Sequence, residues 1–296
     1  MIHINLNDLE LELPTGWADI AEELTEDLIK LDPSQRSDFI DKSRNKTWGD
    51  KELVEALIRV AGNKCWYSEV PLEGQDANVD HFRPKGRVVE VSPDPPFDKT
   101  GVSTDGYWWL AFQWKNFRLS SMHANQRRVD LETQGGKADF FPILGSKAAD
   151  ETDIDDIIEE VLPLDPCSPS DMELIWFDPD GKPGFKNWKR QPTAMEEKRL
   201  KISTWLYHLD KNKIVKARTE HVVDIRNDLK TADHHFKRWD LHGQVQNLTS
   251  KKLFDKELAK IKRKIALKAP YAGAKRCAVI LAMAKYSWIR DYIFSL

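Results

Sequence analysis

Apolar residues recur along the chain with two different periods, and the change of period divides it. From Asp19 onward Ile20, Leu24, Leu28 and Leu31 fall three or four apart, the spacing of one helix face, and Asp32-Pro33 closes that helix. Leu53, Leu57 and Val60, with Val54 and Ile58 beside them, predict a second amphipathic helix that stops at Gly62. Ahead of both, Ile and Leu alternate with polar residues over 1–16, which predicts a short edge strand ended by Pro14-Thr15-Gly16. Helical spacing returns after Thr193. There Leu200, Thr204 and Tyr207 share a face, and Phe254, Leu258, Ile261 and Ile265 form a stripe. Residues 277–293 are apolar on most sides and read as a buried C-terminal helix.

Between these helical regions the pattern is β-like and rich in aromatics. Lys64-Cys65-Trp66-Tyr67-Ser68-Glu69 leads through a Pro71/Gly74 turn to a short β-prone run ending at Asp80-His81, and Phe117–Ser120 predicts a second strand. Pro93, Pro95, Pro96, Gly101 and Gly106 mark 86–106 as a long loop. Tyr107 to Trp114 reads as core, Met122 to Leu131 as a short polar helix, and Phe140-Phe141-Pro142-Ile143 as a tether back to the interior. Leu174–Phe177 predicts a strand followed by a hairpin turn at Asp180-Gly181. The expected fold class is α+β, mainly helical. Its segments are an N-terminal helical lobe (1–61), a mixed core (62–148), an acidic connector with a β-hairpin (149–190) and a C-terminal helical lobe (191–296).

Composition narrows the classes. With 41% hydrophobic and 31% charged residues in a chain of 296, this is an ordinary soluble protein able to bury a substantial core. The net charge of -3 hides segregation: twelve acidic residues and no Lys or Arg lie between Asp150 and Asp180, whereas 186–218 and 251–276 are basic. The acidic tract reads as surface loop, with repulsion of nucleic acid or docking of a basic partner as the sharper alternatives. The basic helix over 251–268 reads as a solvated face, and so does Asp233-His234-His235. Three scattered cysteines (Cys65, Cys167, Cys277) exclude a disulfide framework. The N-terminus lacks a signal-peptide pattern, and the longest apolar run, Cys277–Ala284, is too short to span a bilayer, so the expectation is a cytoplasmic protein without a membrane partner.

Candidate chemistry lies in Asn78-Val79-Asp80-His81-Phe82-Arg83-Pro84-Lys85. An imidazole with a reference pKa of ~6.5 is largely neutral near neutral pH and can take a proton from water. His81 is therefore a candidate general base. Arg83, Lys85, Arg127 and Arg128 are candidate phosphate contacts, since electrostatic attraction supplies most non-specific DNA affinity. Alone, Asp80-His81 would read as a helix cap or a surface pair, and Asn116 and Asn125 as turn residues.

The ordered set changes that. Val79 to Lys85, then Tyr107-Trp108-Trp109-Leu110-Ala111, Trp114-Lys115-Asn116, Asn125, Phe141-Pro142 and Leu162-Pro163-Leu164-Asp165-Pro166 with the hairpin after it resemble the HNH endonuclease subunit of the Septu and retron-associated anti-phage family. The resemblance covers roughly 62–182. It implies a ββα-metal (HNH) nuclease core in 62–148, flanked by the two helical lobes. It also implies that Asp80 and Asn125 ligate Mg²⁺ (or Mn²⁺), and that Asn116 accepts a hydrogen bond from the His81 ring and orients it. The implied activity is metal-dependent hydrolysis of DNA. The implied partner is an ABC/SMC-like ATPase, with a retron reverse transcriptase and its RNA–DNA product as a further possible associate. Relatives carry two CxxC pairs for a structural zinc. Here they stand as Cys65-Trp66-Tyr67-Ser68 and Ser121-Met122-His123-Ala124, so no structural zinc is expected, and packing of Trp66, Tyr67 and Trp109 is expected to support the unit instead. The alternatives are a non-catalytic or regulatory subunit of such a complex, and a nuclease acting on RNA or tRNA.

Overall fold

The computed structural model describes residues 1–74, 77–125, 128–129, 134–148, 150–186, 190–240 and 247–294, with backbone only at His123, Asn125, Arg128, Val129, Gln134 and Gly135. The architecture is α+β and mainly helical. Where an edge strand was expected, α1 (Leu6–Glu12) forms. Asn5 accepts from the Asn7 amide at 3.1 Å, and Leu9, with no exposure, anchors the inner face. Leu6, Leu9 and Leu13 fall three and four apart, a helical spacing that overlaps the alternating runs Ile2-Ile4-Leu6 and Leu9-Leu11-Leu13, and the Asn cap favours the helix. In α2 (Trp17–Ile29) the buried face is Trp17, Ala21 and Leu28, and Ile20 is 42% exposed. Trp17 has the largest apolar surface to lose and turns the helix one position from the predicted stripe. Asp32-Pro33 ends α2 but also starts α3 (Pro33–Lys42), with Pro at the position where a missing N–H costs nothing. α4 (Lys51–Ala61) buries Leu53, Ala56, Leu57 and Val60. It ends at Gly62, whose φ is +86° and whose missing Cβ would lie 2.4 Å from the Lys268 carbonyl oxygen.

The strand β1 (Asn78–His81) is followed by a hairpin, β2 (Val88–Val91) and β3 (Lys99–Thr104), in the region predicted as loop. The prolines cluster in the connection between these strands, while Val88, Val89 and Val91 of β2 are buried and β3 stays exposed. β4 (Phe117–Ser120) pairs antiparallel with β1. α5 (Met122–Asn125) is shorter than the predicted helix, because Arg128-Val129 pair instead with Gln134-Gly135.

In the acidic connector, α6 (Pro169–Leu174) takes the first residue of the predicted strand, leaving Trp176-Phe177 to pair with Pro183-Gly184 around the expected Asp180-Gly181 turn. α7 (Ala194–Leu206) opens on a reciprocal Thr193/Glu196 cap and buries Ile202, Ser203 and Leu206, while Leu200 and Thr204 are half-buried. α8 (Asn212–Asp240) lies against α9 (Leu248–Lys264), where Phe254, Leu258 and Ile261 are buried as predicted. Lys260 and Lys264 of α9 pair with Asp228 and Asp224 of α8, so part of the basic face is neutralised internally. The single C-terminal helix expected over 277–293 is two, α10 (Ala272–Ala282) and α11 (Trp288–Ile293), with polar Lys285 and Ser287 at the break. One hydrophobic core runs through all four segments, from Leu9 and Trp17 through Trp66, Phe117 and Leu164 to Tyr207 and Trp288.

Candidate active site

The β1–β4 pairing sets Asp80 across from Arg118 and His81 across from Phe117. The His81 ring is held edge-on by Phe117 at 5.0 Å and by Trp48 of the N-terminal lobe at 5.1 Å between centroids. Its Nε2 lies 2.8 Å from the backbone carbonyl oxygen of Ala111. A carbonyl only accepts, so Nε2 carries the proton and Nδ1 keeps a lone pair. Burial pushes the His81 pKa down to about 3, with Lys85 and Lys137 acting in the same direction and the Ala111 carbonyl against them. The ring is therefore neutral at physiological pH.

Asn116 does not perform the orienting role expected of it. Its Oδ1 accepts from the Arg83 amide at 2.8 Å, and its Nδ2 donates to the Arg83 carbonyl at 2.9 Å and the Leu110 carbonyl at 3.4 Å. The amide brackets the backbone just after His81, and Ala111 orients the ring. The bracket and a bond from the Tyr107 amide to Pro84 O at 2.8 Å fix the loop that ends at Lys85.

Both oxygens of the buried Asp80 carboxylate are occupied. Tyr67 Oη donates to Oδ2 at 2.6 Å, and Lys137 Nζ lies 2.8 Å from Oδ1. Lys137 also donates to the His81 carbonyl. Tyr67 is itself stacked on Tyr207 of the C-terminal lobe, 4.1 Å between rings, and its pKa is raised well above the ordinary range by burial and then by the Asp80 charge. Burial lowers the Lys137 pKa, and its partner Asp80 opposes the shift. These residues do not fit a divalent cation. The carboxylate already faces an ammonium and a hydroxyl donor, and among the described residues no three His, Cys, Asp or Glu side chains converge. The side chain of Asn125, the other expected ligand, lies outside the described residues.

Asp80, His81 and Lys137 border a groove of about 430 Å³, which Arg44, Trp48, Lys85 and Arg87 also line. Lys85 sits 4.8 Å above the Trp48 ring and 3.4 Å from Asp41. Arg87 pairs with Asp139 at 2.7 Å on the surface. Arg83 does not reach the groove, as its guanidinium is held at 3.2 Å by Glu159, a fully buried carboxylate that also takes the Tyr107 hydroxyl. Arg127 lies outside the described residues, and only the backbone of Arg128 is described. Four residues of this wall were missed in the sequence. Arg87 follows Lys85 by two positions and was within reach of the motif. Arg44, Trp48 and Lys137 carry no local signal, and two of them lie in the N-terminal lobe, where helix periodicity is the visible pattern.

The acidic tract is not a surface loop throughout. Arg118 makes two bonds to Asp165, 2.7 Å from Nε and 2.6 Å from the second nitrogen, and Asp165 is linked through its own amide to Asp171, which Arg199 grips with two bonds of 2.8 Å. Asp150 accepts from the Trp108 indole and Thr152 O from the Trp109 indole. These bonds tie the connector to both the strand pair and α7. At the position of the first CxxC pair of the resembling family, the Ser68 amide lies 3.5 Å from Cys65 Sγ, and Trp66 and Tyr67 are fully buried.

Among known proteins, the chain is similar to the Septu protein PtuB of Bacillus mycoides (strain KBAB4), 25% identical over 181 residues, which is 61% of this chain and 54% of that protein. The match thus spans about half the relative's length. No family model and no solved structure matches the chain. Among the described residues no helix is long and apolar enough to cross a membrane.

Proposed function

We propose that this chain is an HNH-type endonuclease that hydrolyses DNA phosphodiester bonds, as the nuclease effector of a Septu-like anti-phage system with an ABC/SMC-type ATPase. The observation that carries the reading is the state of His81: a neutral ring, its Nε2 proton committed to Ala111 O, bordering a groove with four basic residues. In that tautomer Nδ1 can take a proton from water as the water oxygen bonds to phosphorus, and the ester oxygen leaves with the bonding electrons. An incoming phosphodiester favours the imidazolium that forms, because its negative charge offsets the desolvation that depresses the pKa. Lys85, Arg87 and Arg44 supply backbone attraction without reading bases. The likeness to PtuB supports the defence context.

A second reading, a subunit that holds the assembly without cutting, is favoured by the closure of the site, with Asp80 saturated and His81 only 7% exposed. The deciding experiment incubates supercoiled plasmid and structured RNA with the chain, alone and with an ABC/SMC-type ATPase of a Septu-like system, in Mg²⁺ and in EDTA. Cleavage of DNA by wild type and none by His81→Ala is expected. Equal behaviour of the two proteins in every condition favours the scaffold, and cleavage confined to RNA replaces the substrate.

A further inference from the structure

We propose that the buried ammonium of Lys137 holds the cation position of this site, so that Asp80 keeps a lysine where the resembling nucleases keep a divalent metal ion. The placement is built rather than incidental. Lys137 is 1% exposed, yet its Nζ lies 2.8 Å from Asp80 Oδ1 and donates to the carbonyl of His81, the neighbouring residue. Its backbone is fixed at both groups: its amide donates to Ala124 O of α5 at 3.0 Å, and its carbonyl accepts from the Phe140 amide at 2.6 Å, at the buried Phe140-Phe141 anchor. The segment is therefore tied to the same short helix that would have carried a second metal ligand, and its side chain fills the space before Asp80. The other carboxylate oxygen is taken by Tyr67, so a dication would have to displace a buried ammonium and strip a hydroxyl donor to reach an oxygen.

An ammonium and a divalent ion do different work. Lys137 has three donors, two of them spent on Asp80 and the His81 carbonyl, which leaves at most one for a phosphate oxygen entering the groove it borders. It offers one fixed positive charge and no exchangeable water. The use of that charge on a phosphodiester rests on the proposed nuclease reading, but the exclusion of metal by Lys137 does not.

Titration of the purified full-length chain with Mn²⁺, followed by the paramagnetic resonance of the unbound ion, tests the assignment without reference to activity. Wild type is expected to show no stoichiometric site below about 1 mM, whereas Lys137→Met gains one site at least about tenfold tighter. Adding Asp80→Asn to Lys137→Met should remove that site. If Lys137→Met does not fold, Lys137→Gln keeps a donor to Asp80, lacks the charge and carries the same comparison. A single Mn²⁺ bound by wild type and lost in Asp80→Asn overturns the proposal, and so does a folded Lys137 variant that gains nothing. Absence of cleavage by every variant, with the Mn²⁺ pattern as expected, would remove the nuclease reading and leave Lys137 in the cation position.

Discussion

An imidazole packed between Trp48 and Phe117 is costly to charge, and His81 carries that cost in a definite direction. Unfolded, the ring takes a proton near ~6.5. Folded, it does so only near about 3. As pH falls the unfolded chain binds the proton first, so this contribution is complete above the unfolded pKa and is lost as pH falls toward the folded one. Urea melts at pH 7 and pH 5 should show wild type losing about 1–2 kcal/mol more than His81→Gln does. Equal losses would mean that the ring is not buried as described. Asn116→Asp keeps the shape but replaces a donor to the Arg83 carbonyl with a second acceptor, and should cost about 2 kcal/mol in the same melts. Asp80-His81 was legible from its company in the sequence. The donor geometry around it was not, because Ala111 orients the ring through a backbone carbonyl, and every residue has one.

Charge patterning gave the acidic connector its prominence but misjudged its place, since a count of carboxylates does not show which arginines meet them. Arg118 and Arg199 each grip an aspartate with two bonds, and Asp165 and Asp171 join the two pairs into one chain from β4 to α7. Breaking a buried pair strands its partner. Asp165→Asn should therefore lower stability by about 3 kcal/mol, and Asp165→Asn with Asp171→Asn should cost less than the sum of the two alone, read from the same melts. Strict additivity would show that the pairs act separately. The β2–β3 hairpin was hidden for a related reason. Pro93, Pro95 and Pro96 mark a connection correctly, but they say nothing of the buried valines ahead of it.

At the scale of the molecule, the site draws on three segments that the sequence presents as separate. The N-terminal lobe brings Trp48 and Arg44 to the groove, the core brings Asp80, His81 and Lys137, and the C-terminal lobe brings Tyr207 under Tyr67. The helical stripes of the lobes were readable because burial follows periodicity. The contribution of Trp48 to His81 was not, since a Trp beside a glycine carries no mark of its partner. If Arg44 and Arg87 attract nucleic-acid backbone, each Ala variant should weaken DNA binding uniformly across sequences and reduce the salt slope by about 1. An unchanged slope would place the DNA elsewhere.

The role proposed for His81 is to activate the water that cuts DNA. The single-turnover nicking rate of supercoiled plasmid by the chain with an ABC/SMC-type ATPase of a Septu-like system, for wild type and for His81→Ala of matched melting midpoint, tests that role. A fall of about 100-fold or more is expected in the variant. Equal rates in two folded proteins would contradict it.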